Sequence, residues 1–102
     1  MAILLLQGPL GPFFNHLAVA LSKQGQVVYK INFNGGDNGF YSQPNAINFT
    51  GSIEQWPEFL RGIINEKNIR LVFAYGDCRS YHHKAKVVCI DAAIKYYAFE
   101  EG

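Results

Sequence analysis

Apolar and polar positions alternate in blocks along this chain. Residues 2–6 (AILLL) are five apolar residues in a row. Such a run is too short to cross a membrane and too uniform for a strand with one wet face, so it predicts a central strand covered on both sides. Beyond Gln7 and the sequence Gly8-Pro9-Leu10-Gly11-Pro12 the period changes. Phe14, Leu17, Ala18 and Leu21 recur at helical spacing, and Gln24-Gly25 is a helix stop. Residues 27–33 (VVYKINF) mix β-branched and aromatic side chains and predict the second strand. Residues 34–45 (NGGDNGFYSQPN) are dense in turn formers and predict a structured loop. Residues 46–50 suit a short strand. Ser52 with Gln55 has the form of a capping box, but Pro57 fits the first helical position, so the helix is expected to begin there after a turn over 52–56. Its buried face is Phe59, Leu60, Ile63 and Ile64. A strand over 69–75 (IRLVFAY), a loop over 76–80 and a third helix with the stripe Ala85, Val88, Cys89, Ala92 and Ala93 follow, then a last strand over 96–99.

The order βαβ(β)αβαβ predicts an α/β fold: a Rossmann-like open, mainly parallel sheet with helices on both faces. Right-handed crossovers in the mononucleotide-binding strand order set the loops after the first strand and after Tyr75 side by side at a switch point. Ligands of open α/β sheets bind at the carboxyl ends of the strands. One candidate site therefore gathers Gln7 to Pro12, Asn34 to Asp37, Asp77 to Arg79, and Glu100 with Glu101.

With 102 residues the chain makes one domain, and 49% apolar residues exclude a disordered chain. The net charge of +1 comes from scattered Lys, Arg, Asp and Glu. That leaves no electrostatic footprint for nucleic acid, and no nucleic-acid partner is expected. A signal-type segment and a membrane-length apolar run are both lacking, which points to the cytoplasm. Cys78 and Cys89 stand eleven apart without a CxxC pattern, so reduced thiols are expected, with no metal site and no cofactor.

The glycine-proline loop matches neither GxGxxG nor GxxxxGK[ST], and Pro9 and Pro12 remove N–H groups that a phosphate cradle would use. It reads as a rigid turn shaping a cleft wall. The Asn34–Asn45 segment offers donors and acceptors suited to sugar hydroxyls, or else bonds to itself at the surface. Asp77 and Arg79 stand as a structural ion pair or as catalytic or binding groups. Cys78 with His82 has the residue types of a thiol nucleophile and base, though their spacing does not specify that geometry. Of His82 and His83, only one can face a cleft from a helix.

The blocks QGPLGPFF at 7–14, NFNGGD at 32–37, NAINF at 45–49, EQWPEFL at 54–60, GDCRSYH at 76–82 and FEEG at 99–102 together resemble the capsular polysaccharide synthesis/export family, KpsS/LipB-type. Ser80 stands where the family pattern has a proline. The resemblance implies a retaining β-Kdo glycosyltransferase that uses CMP-Kdo to build a Kdo linker on a phosphatidylglycerol-type glycolipid acceptor, working with capsule assembly and export proteins. It further implies a longer GT-B-like enzyme of two domains, in which these residues form the amino-terminal, acceptor-side half and a second domain holds the CMP-sugar. A cytoplasmic protein peripheral to the inner membrane is the matching location. On this resemblance Glu100 and Glu101 are the catalytic candidates. Gln7, Gly8, Gly11, Asn34, Gly35, Gly36, Asp37, Asp77, Arg79 and His82 are the substrate-binding ones, with Arg79 facing a carboxylate or phosphate. The half-domain alone is expected to be inactive, and Phe40, Tyr41 and Tyr97 are expected to form an exposed patch that favours homo-oligomers. The competing expectation is a non-catalytic flavodoxin-like binding or interaction module.

Overall fold

The computed structural model describes residues 1–6, 13–32, 45–75 and 79–99. Five strands, β1 (Ala2–Leu6), β2 (Val27–Asn32), β3 (Ala46–Asn48), β4 (Ile69–Tyr75) and β5 (Lys95–Phe99), form one sheet in the order β3-β2-β1-β4-β5. Every pairing is parallel. Three helices connect them: α1 (Phe13–Lys23), α2 (Trp56–Lys67) and α3 (Arg79–Asp91). The expected elements are thus present among the described residues, with β3 ending at Asn48.

The unbroken apolar run of β1 is explained by its place between β2 and β4, with Ile3 to Leu6 all buried. Alternation sends Leu4 and Leu6 to one face and Ile3 and Leu5 to the other. Leu4 and Leu6 join Ile31, Val72 and Ala74 beneath Trp56, Leu60 and Ile64 of α2 and Ala85, Val88 and Cys89 of α3. Ile3, Leu5 and Val28 pack on Ala18 of α1, with Leu17 and Leu21 beside it.

All three helices end in a left-handed residue that turns the chain directly into the next strand. Gly25 (φ 84°) closes α1, with Gln26 N–H donating to the Leu21 carbonyl and Gly25 N–H to that of Ser22. Ala93 (φ 59°) closes α3 with the same pair of bonds, Ile94 to Cys89 and Ala93 to Ile90. This is a Schellman end in which alanine holds the position that favours glycine. Asn68 (φ 54°) caps α2. The α3 stripe is accordingly shorter than expected: Ala85, Val88 and Cys89 are buried, whereas Ala92 and Ala93 are exposed cap residues beyond the helix.

At the start of α2 the expected turn is present, and Ser52 N–H donates to Gln55 Oε1 at 2.8 Å. That is half of a capping box. The helix itself begins at Trp56 with Pro57 in its first turn and no side-chain cap. A Cβ at Gly51 would sit 3.0 Å from the Phe49 ring and 2.5 Å from Gln55 Oε1, so a larger residue here would push the Gln55 side chain off the Ser52 N–H. Trp56 and Leu60 are fully buried, and Phe59 is half-buried against Phe49.

Candidate functional site

The strand order reverses between β1 and β4. From β1 the chain passes through α1 to β2 on one side, and from β3 it crosses through α2 to β4 on the other. At this point Leu6 lies beside Ala74, so the carboxyl ends of β1 and β4 are neighbours, as the topology predicted. The segments joined to the carboxyl ends of β1, β2, β4 and β5 carry most of the candidate residues. Gln7, Gly8, Gly11, Asn34, Gly35, Gly36, Asp37, Asp77, Glu100 and Glu101 lie outside the described residues, as do Cys78, Phe40 and Tyr41.

Two candidates lie within them. Arg79 is the first residue of α3, the helix that begins beside the switch point. His82, in the first turn of the same helix, is half-buried, while its neighbour His83 is exposed. Consecutive residues on a helix stand about 100° apart, so only one of the two can turn inward.

A polar cluster that the sequence reading did not single out sits at the same edge. Lys30 and Asn32 share the face of β2 that carries Val28; Lys30 is 1% exposed and Asn32 is fully buried. Lys30 Nζ donates to Asn32 Oδ1, and Asn32 Nδ2 donates to Asn48 Oδ1 at 3.3 Å. Asn48 is the register partner of Asn32 on β3. Hydrogen bonding of this kind is what makes a buried ammonium tolerable. The available signal was Lys30 itself, a lysine set among the β-branched and aromatic residues of VVYKIN.

Other features point away from the edge. A cleft of about 200 Å³ between α2 and α3, lined by Arg61, Ile64, Asn65, Val88, Asp91 and Ala92, opens toward the amino ends of the strands. Among the described residues, no group of three or more His, Cys, Asp or Glu is placed to hold a metal. No described helix is long and apolar enough to cross a membrane.

The fold and the strand order define a Rossmann-like open α/β domain with its switch point between β1 and β4. UDP-glucose 4-epimerase of Thermotoga maritima superposes with a TM-score of 0.71 at 18% identity, over 95% of this chain and 36% of that one. CobK precorrin-6A reductase gives 0.70 at 19%, over 100% and 40%. UDP-GlcNAc 2-epimerase of Methanocaldococcus jannaschii gives 0.70 at 15%, over 100% and 32%. At these identities the likeness is one of fold alone.

Sequence comparison is more specific. No family model matches the chain. The capsule polysaccharide modification protein LipB of Neisseria meningitidis serogroup A is 43% identical over 102 residues, as is that of serogroup B. The capsule polysaccharide export protein KpsS of Escherichia coli is 34% identical over 99 residues. The chain is a homologue of these capsule polysaccharide modification and export proteins over nearly its whole length. It spans about a quarter of theirs.

Proposed function

We propose that this chain is the acceptor-side, Rossmann-like portion of a capsule polysaccharide biosynthesis enzyme, a retaining β-Kdo transferase that moves Kdo from CMP-Kdo to a phosphatidylglycerol-type glycolipid at the cytoplasmic side of the inner membrane. The observation that carries this reading is the 43% identity to LipB across 98% of the chain. The switch point between β1 and β4 supports it, because open α/β sheets bind their ligands outside the carboxyl ends of the strands at such a point.

On this reading, Glu100 and Glu101 follow β5 at the rim of the crevice. Consecutive residues leaving a strand point to opposite sides, so one carboxylate is directed at the acceptor and the other orients it. We assign Glu100 to the acceptor hydroxyl, as general base or as stabiliser of the positive charge that develops at the anomeric carbon. Asn34 to Asp37 shape the acceptor side. Asp77, Arg79 and His82 form the floor, where the Arg79 guanidinium suits a carboxylate or phosphate. Gln7, Gly8 and Gly11 complete the wall. The donor is held by a second domain outside this chain, so the chain alone is inactive, since transfer requires both reactants in near-attack geometry.

The test is a chimera in which this chain replaces the matching quarter of meningococcal LipB, assayed with CMP-Kdo and the lipid acceptor. Kdo-lipid product from the chimera, none from the chain alone, and a loss of ~10²-fold or more in kcat for Glu100→Gln with little change in KM for acceptor are expected. A folded chimera without transfer, or equal and small effects of Glu100→Gln and Glu101→Gln, overturns the assignment.

A further inference from the structure

Lys30 stands between Leu5 of β1 and Ala46 of β3, its register partners in the two parallel pairings. Its bond to Asn32 Oδ1 and the onward bond from Asn32 Nδ2 to Asn48 Oδ1 form a chain that runs from the sheet interior to the edge strand. Asn48, at the outer end, is exposed. An ammonium has donors and no acceptor, so the amide that meets it turns its oxygen inward and its NH2 group onward. The same rule then applies to Asn48: its oxygen receives Asn32, and its NH2 group is directed away from Asn32. Polarity therefore enters at Lys30 and is handed outward through two amides.

We propose that Lys30 is a positioning residue that fixes the direction of this amide chain, so that the β2–β3 corner of the carboxyl edge offers N–H donors to an oxyanion of the ligand. This rests on the reading above that the ligand occupies the carboxyl edge. The direction of the chain itself belongs to the free protein and can be tested without any ligand or transfer reaction. Asn32 and Asn48 also flank the sequence at 33–44 from both sides, so the orientation of their amides bears on the strand ends from which the acceptor-side residues depart.

The experiment is NMR of the ¹⁵N-labelled chain, following hydrogen exchange of the Asn32 and Asn48 side-chain NH2 groups. In the unsubstituted protein the Asn32 NH2 exchanges slowly and the Asn48 NH2 fast; equal, slow exchange of both overturns the proposal. Asn32→Asp keeps an oxygen toward Lys30 and turns a second oxygen to Asn48. The Asn48 amide must then reverse, and its NH2 exchange slows at least tenfold while the backbone spectrum keeps its dispersion. Unchanged Asn48 exchange in the folded variant overturns the proposal. Lys30→Met removes the source of polarity, and the Asn32 NH2 exchange rises at least tenfold; where that variant fails to fold, Asn32→Asp decides.

Titration with inorganic phosphate and, separately, with glucuronate tests the ligand-facing role. The Asn48 NH2 resonance shifts in the unsubstituted protein and not in Asn32→Asp. A response to glucuronate alone assigns a sugar-acid carboxylate, and one to phosphate alone assigns a phosphate group. No response at Asn48 to either probe overturns the ligand-facing role, whatever the transferase assay returns.

Discussion

Trp56 Nε1 donates a hydrogen bond to the backbone carbonyl of Tyr81 at 2.9 Å, joining the first turn of α2 to the first turn of α3 across 25 residues of sequence. The two rings lie 5.9 Å apart, and the Phe49 ring is 5.2 Å from that of Trp56. One fully buried indole thus ties the end of β3 and both helices of this layer together beside the carboxyl edge. Trp56→Phe removes the N–H and part of the buried volume and is expected to cost ~1–2 kcal/mol; Trp56→Ala leaves a cavity and is expected to cost ~3–5 kcal/mol. Urea unfolding followed by circular dichroism reads both, since Trp56 is the sole tryptophan and its fluorescence is lost with it. Equal, small costs would show that the indole is not central to this layer.

Ala93 adopts φ 59° at the end of α3 in the position where Gly25 ends α1. A Cβ in left-handed backbone costs ~1–2 kcal/mol, while glycine adds ~0.4–1 kcal/mol of unfolded-state entropy. Ala93→Gly is therefore expected to stabilise the domain by ~0.5–1 kcal/mol. A lower melting temperature for the variant would contradict this.

Cys89 is free and fully buried, and burial pushes its thiol from the ordinary 9.0 up to about 11. Tyr96 is raised to about 12, first by burial and then by the nearby Cys89 charge. A pKa raised by folding contributes stability that is present below the unfolded value and lost as pH climbs to the folded one. Stability should hold up to pH 9 and fall by ~1–3 kcal/mol between pH 9 and 11 on account of Cys89, with a smaller part from the half-buried Tyr96. Cys89→Ala should flatten that decline. At pH 8 the buried thiol should react with Ellman's reagent only as fast as the chain opens.

Tyr97 is 49% exposed and stacks on Phe73 at 5.9 Å between centroids. Both lie on the face of the sheet that α1 covers, on strands β4 and β5, where Leu71 is also half-buried. A parallel sheet is stable with both faces covered, so this strip should drive self-association at high concentration. Sedimentation velocity is expected to show dimers or larger species that Tyr97→Asp returns to monomer. A monomer at all concentrations would remove the patch from consideration.

The outline of this protein was legible in its sequence because it depends on local physics. The change of period from AILLL to Phe14, Leu17, Ala18 and Leu21, the stop at Gly25 and the proline at the head of α2 are each decided within a few residues of chain. With five short strands alternating with helices, right-handed crossovers leave few topologies, and the observed order is the expected one. Homology to LipB likewise resides in the residues themselves. Tertiary structure decided what depends on residues far apart in the chain. Lys30 lies on the face of β2 that carries Val28 and that α1 covers, and no window around Lys30 contains that covering layer. The Trp56 indole found its acceptor 25 residues away. Ala93 took a glycine's conformation because the Ile94 and Ala93 N–H groups had to meet the last carbonyls of α3 before β5 could join the sheet. In each case propensity yields to the requirement that a buried polar group or a strand find its partner.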